Sequence, residues 1–181
     1  MQDMRFSALA AWVMGLALCA GTAEAHGPTP QKVDRQIDIN APCELVWSTL
    51  LDFGDIGGWH PDVTAVEATG AAERGSKRSL TLTNGESLTE MLVTMDRGAQ
   101  SLSYRLAREN IHALPVSFYT AQMTLERTGT AGRVCTVDWS ARLYRADTTN
   151  SPPEEFNDEA AITAISAFFD DGLAGLKEAV E

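Results

Sequence analysis

The stretch ITAISAFFDDGLAGLKEAV, Ile162 to Val180, decides the fold. Ile162, Ile165, Phe169, Leu173, Leu176 and Val180 recur about every 3.6 residues, so the spacing predicts one long helix with a single apolar stripe. Gly172 and Gly175 lie inside it, and each costs roughly 1 kcal/mol against Ala in a helix interior. Such glycines make sense where a neighbouring strand or a ligand must approach the helix backbone. Upstream, Ser151-Pro152-Pro153-Glu154 resembles a capping box that opens the helix, with Asn157 as a later start.

One stripe needs one apolar surface, and the preceding residues supply it. VTAVEA, KRSLTLT, ESLTEMLVTM, SLSYRLARE, VSFYTAQMTLER and RVCTVDWSARLYR all alternate with a period of two. Turn residues separate them. Asn84-Gly85 is a two-residue hairpin signal, and Asp96-Arg97-Gly98 and Thr128–Gly132 are further turns. Before this run, KVDRQIDIN reads as a strand and NAPCELVWSTLLDF as a short helix. In that helix Asn40 caps, Pro42 stands in the first turn, and Val46, Trp47, Leu50 and Leu51 form an apolar face. The expected class is α+β: a curved antiparallel sheet of about seven strands around a long C-terminal helix, with two short helices after the first strand. A sheet bent round one helix leaves a gap between them.

The first 25 residues are read as a signal peptide. Arg5 supplies a weak positive region, FSALAAWVMGLALC an apolar core, and Ala23-Glu24-Ala25 a cleavage site. Leu18 before Cys19 argues against a lipoprotein. Cleavage leaves residues 26–181 as one domain, exported to the periplasm and without a membrane anchor. Its net charge is (14 − 1) − (25 − 2) = −10, which repels nucleic acid and anionic lipid and suits a cationic protein partner. Cys43 and Cys135 remain, either as a disulfide or as two buried thiols.

The order of elements, the segment NAPCELVW, the DFG…WHP turn and the ending FFDDGLAGLK together resemble the START-like helix-grip superfamily, which includes the polyketide cyclase/dehydrase-type (SRPBCC) domains. The likeness covers essentially all of residues 26–181. AHGPTPQKV, LPVSFY, VDWSARLYR and PPEEFNDEAA further resemble the MxaD family of small periplasmic proteins from methanol-oxidation gene clusters. That resemblance implies an accessory role beside periplasmic methanol dehydrogenase or its cytochrome, without a cofactor of its own. Cys43 and the pair Phe168-Phe169 depart from the pattern.

The resemblance also places FGDIGGWHPDV, Phe53 to Val63, over one mouth of the gap. Gly57-Gly58 would let the chain turn there, and Trp59 would act as a lid or as a permanent plug. His60 is a candidate acid, base or ligand, and alternatively a structural hydrogen-bonder. Glu90 shares strand phase with Leu88 and Leu92, although Met91 and Val93 make the other phase apolar too. Pointing inward it needs a partner, for which Arg105 is one candidate; pointing outward it is solvated. Tyr104, Tyr119 and Trp139 share phase with apolar neighbours and line the inner face, as core or as polar contacts in an apolar pocket. His112 reads as solvated. His26, as a new N-terminus, is a candidate copper ligand.

Beside metal handling through His26, two functions compete. One is a non-catalytic binding or accessory protein with an apolar cavity for a small molecule. The other is a cyclase- or lyase-like enzyme that uses His60 and Glu90 on a hydrophobic substrate.

Overall fold

The computed structural model describes residues 28–129 and 133–181. The signal-peptide reading and His26 fall outside them. β1 (Gln31–Ile39) is followed by α1 (Cys43–Leu50) and a 3-10 turn at Asp55–Gly58. Six strands come next: β2 (Val63–Thr69), β3 (Lys77–Leu82), β4 (Ser87–Asp96), β5 (Ser101–Arg108), β6 (Val116–Thr128) and β7 (Val134–Arg145). After a second 3-10 turn at Glu154–Phe156, α2 (Asp158–Val180) closes the chain. All seven strands form one antiparallel sheet in the order β1-β7-β6-β5-β4-β3-β2. This is the helix-grip architecture expected from the periodicities, and the second of the two short helices is a single 3-10 turn.

The sheet bends because its registers slip. Irregularities fall at Val63/Ala65 in β2, at Thr89/Glu90 and Leu92/Thr94 in β4, and at Val116/Phe118 in β6. Each such bulge adds local twist and curls the sheet towards α2. The helix packs against β1 and β7. Ile165, Phe168, Phe169, Leu173 and Leu176 are buried, and Ile162 and Val180 at the ends of the stripe are half-buried.

Local chemistry corrects several details. Asn157 caps α2 by accepting from the Ala160 N–H at 2.9 Å, so the later start holds; Ser151–Glu154 lies upstream of it. Arg145 at the end of β7 pairs with Asp158 in the first turn of α2, 2.9 Å away. Pro42 occupies the N-cap of α1 without a side-chain cap. Asn40 instead donates its backbone N–H, at 2.7 Å, and its side-chain amide, at 3.0 Å, to Glu181 beyond the far end of α2. The Asn84-Gly85 turn has three residues rather than two: the Leu82 N–H donates to the Glu86 carbonyl, and Gly85 takes a positive φ of 84°. Cys43 and Cys135 form a disulfide that ties the start of α1 to β7, and both are fully buried.

Candidate functional site

Residues 54–61 form a flap between α1 and β2. Asp55–Gly58 make its 3-10 turn, in which neither Gly57 nor Gly58 takes a positive φ, and its end lies on α2. The Trp59 and His60 N–H groups both donate to the Ile56 carbonyl, at 3.2 and 2.8 Å, which folds the flap back on itself. The two helix glycines receive it. A Cβ at Gly175 would overlap the Trp59 carbonyl oxygen and stand 2.9 Å from Pro61 Cδ. A Cβ at Gly172 would lie 2.6 and 2.7 Å from the His60 ring and 2.7 Å from Trp139. The close approach inferred from Gly172 and Gly175 is therefore the approach of the flap itself. Trp59 is only 8 % exposed, so the mouth is closed.

His60 fastens this closure. Its Nε2 donates to the Phe168 carbonyl at 2.9 Å, while its Nδ1 accepts from the Asp62 N–H at 3.2 Å. A carbonyl can only accept and an amide N–H can only donate, so the two partners fix a neutral ring with its proton on Nε2. The ring stacks on Phe168 with centroids 4.0 Å apart. Burial pushes its pKa down to about 4, against the opposing pull of the Phe168 carbonyl, and the Arg78 charge pushes the same way.

Below the flap, Trp59 meets the edge of Trp139 at 6.0 Å, and Trp139 stacks on Phe169 at 4.3 Å. Trp139 Nε1 donates to the Tyr104 hydroxyl at 2.8 Å. Tyr104 and Tyr119 meet edge to face at 6.3 Å. The Tyr119 hydroxyl donates to Glu90 Oε1, and Arg78 Nε donates to Glu90 Oε2 at 2.5 Å. Arg78 Nη1 donates to the Phe53 carbonyl at 3.0 Å, and the guanidinium lies 4.1 Å from the Phe53 ring centroid and 4.9 Å from that of Tyr104. Burial, with the Glu90 carboxylate beside them, pushes both tyrosines well above their usual pKa. Both stay protonated; the Tyr119 hydroxyl donates to Glu90, and that of Tyr104 accepts from Trp139.

All six residues proposed for ligand contact (Trp59, His60, Glu90, Tyr104, Tyr119 and Trp139) thus belong to one buried array. Glu90 points inward and is fully buried. Its partner is not Arg105, which lies on the opposite phase from Tyr104 and faces outward; it is Arg78, which the sequence reading missed. The signal was present. In KRSLTLT, Arg78 shares phase with Leu80 and Leu82, and all three are buried. A charge on the apolar phase of a strand marks a buried pair. His112 is exposed, as expected, with Phe156 edge-on at 5.9 Å.

Outside the flap, an open groove of about 430 Å³ runs between it and α2, lined by Gly57, Trp59, Pro61, Asp171, Gly175 and Glu178. Among the described residues, no cluster of three His, Cys, Asp or Glu side chains could hold a metal.

A curved sheet clasping one helix around an aromatic and ionic interior defines a class, the helix-grip domains. The chain belongs to the family described as "Polyketide cyclase / dehydrase and lipid transport", which matches residues 30–181. No curated protein matches the sequence significantly. Among solved structures, an uncharacterized protein of Bacillus thuringiensis aligns with a TM-score of 0.67 at 21% identity, covering 83% of this chain and 98% of that one. XoxI from Bacillus cereus aligns with a TM-score of 0.67 at 21% identity, covering 82% and 94%. Norcoclaurine synthase from Thalictrum flavum, in complex with dopamine and hydroxybenzaldehyde, aligns with a TM-score of 0.62 at 14% identity, covering 96% and 94%. At these identities the likeness is one of fold.

Proposed function

We propose that this chain is an exported, non-catalytic binding and accessory protein that assists periplasmic methanol oxidation, acting beside methanol dehydrogenase or its cytochrome. The observation that carries the reading is the saturation of the interior. Both ring nitrogens of His60 and both carboxylate oxygens of Glu90 already have partners. His60 has no acceptor left over, and Glu90 is held by the Arg78 ion pair and the Tyr119 hydroxyl beneath a closed flap, an arrangement suited to structure rather than to proton abstraction. An apolar small molecule would enter by lifting the flap and would meet Trp59, Tyr104, Tyr119 and Trp139. The resemblance to the MxaD family supports the methanol-oxidation setting. The buried Cys43–Cys135 disulfide supports export, because such bonds persist in oxidising compartments.

The test adds residues 26–181 to purified methanol dehydrogenase and its cytochrome and follows cytochrome reduction. Faster electron transfer, with co-purification of either partner from methanol-grown periplasm, is expected. Absence of both sinks the reading. Turnover of a hydrophobic carbonyl compound that is lost in Glu90→Gln and His60→Ala would replace it with the enzymatic one.

A further inference from the structure

The outer face of the sheet carries a row that the strand registers define. Lys32 on β1 pairs with Arg142 on β7, Arg142 with Thr120 on β6, and Thr120 with Arg105 on β5. Arg105 pairs with Met91 on β4, and Met91 with Lys77 on β3. Each of these residues alternates with a buried neighbour, so all six point away from α2. Four of the 14 − 1 = 13 Lys and Arg residues that follow Arg5 stand in this one line. With strands about 4.8 Å apart, the five steps from Lys32 to Lys77 span about 24 Å.

Acids of this face stand towards its β1–β7 edge, Asp34 beside Ser140 and Asp138 one row farther from Arg142. Beside the centre of the row stand Ser140, Gln122 and Ser103 on one flank, and Tyr144, Phe118 and Ala107 on the other. Lys32 pairs with Asp34 at 2.9 Å in an exposed contact that a competing carboxylate readily displaces. Among the described residues, Arg142, Arg105 and Lys77 have no carboxylate within salt-bridge distance. A groove of about 390 Å³ opens along the row, lined by Lys32, Arg142, Thr120, Gln122, Ser103 and Ser140. Lys32 and Arg142 stand together at its β1–β7 end, hydroxyl and amide groups run along it towards β5, and Arg105 and Lys77 continue the row beyond it; paired cations beside such donors are the chemistry of a carboxylate site.

We propose that this row docks an extended acidic segment of a partner protein. An extended chain rises about 3.3 Å per residue, so roughly seven residues span the row. The line is one side chain wide, which fits a strand-like segment laid across the sheet. A bilayer would need a broad cationic face, whereas this chain carries a net charge of −11. At physiological salt the screening length is about 8 Å, so the local row decides the contact and the distant acids do not. The sequence-wide preference for a cationic partner therefore does not extend to this face. The proposal does not depend on the interior or on methanol oxidation.

The probe is a fluorescent oligoglutamate of about eight residues, titrated into the intact protein. Binding is expected, weakened about tenfold or more in the Arg105→Glu, Arg142→Glu double variant. Arg97→Glu, in the β4–β5 turn, makes a charge change of the same kind off the row and should leave binding unchanged. In the unaltered protein, carbodiimide should join the peptide to Lys32 and Lys77. Cross-links confined to Lys177, equal weakening by Arg97→Glu, or row-dependent binding of phosphatidylglycerol vesicles without peptide binding would each overturn the proposal.

Discussion

Gly175 and the Trp59 carbonyl claim the same space: a methyl group on the helix would overlap the flap oxygen. Helix propensity alone favours Gly175→Ala by about 1 kcal/mol. Overpacking against a backbone atom costs about 1–3 kcal/mol, because a carbonyl has no rotamer to yield. Gly175→Ala is therefore expected to destabilise the protein or lift the flap, with increased solvent exposure of Trp59. Thermal unfolding and tryptophan fluorescence read both. A variant with a higher Tm and unchanged fluorescence would show that the flap does not rest on α2.

His60 predicts a pH dependence whose sign is fixed. Its folded pKa is about 4, below the unfolded value of 6.5. Between these values the unfolded chain binds a proton that the folded chain refuses, so stability falls as pH drops. Above about pH 6.5 the contribution is constant, and below about pH 4 the loss is complete. A gap of about 2.5 units corresponds to roughly 3 kcal/mol, close to 1.4 kcal/mol per pH unit inside the window. Urea titrations at several pH values should show this extra slope in the wild type and not in His60→Gln. Parallel curves for the two would remove the buried neutral imidazole from the account.

The buried Arg78–Glu90 pair predicts strong coupling. Arg78→Met leaves the Glu90 charge inside without its cation and is expected to cost about 3–5 kcal/mol. Glu90→Leu strands the guanidinium in the same way. The double variant removes both charges, and much of the loss should return. Equilibrium unfolding of the four proteins closes the cycle. Additive losses would mean that the two residues are stabilised independently, against the 2.5 Å contact between them.

Periodicity made the architecture legible, while the site was only partly so. The stripe from Ile162 to Val180 and the six alternating segments follow from the burial of one face each, and burial is what the chain composition records. Glu90 stayed ambiguous because Met91 and Val93 give the outer phase of β4 an apolar look; both are only half-buried. Arg78 was missed: a charge on an inward phase breaks the local pattern, and only the facing strand shows why it is tolerated. The latch needed three elements at once. Glycines at 172 and 175 announced a close approach, but only the packed chain shows that the visitor is the Trp59-His60 backbone and ring. Asn40 failed as a cap for the same reason, since its partner Glu181 lies 141 residues away.

The disulfide makes the last prediction. Cys43 and Cys135 are 92 residues apart in sequence, and the bond joins α1, which launches the flap, to β7, which carries Trp139. Closing a loop of this length restricts the unfolded chain and contributes about 4–5 kcal/mol on the chain-entropy view. Cys43→Ala with Cys135→Ala should lower stability by a comparable amount, less whatever the small cavity adds or relaxation restores. Because both sulfurs are fully buried, a reductant under native conditions should act only as fast as the protein opens. Thiol release measured with and without urea separates the cases: slow release that accelerates with urea is expected. Rapid release from the folded protein would mean that α1 detaches from the sheet, and the flap would then have no fixed base to close from.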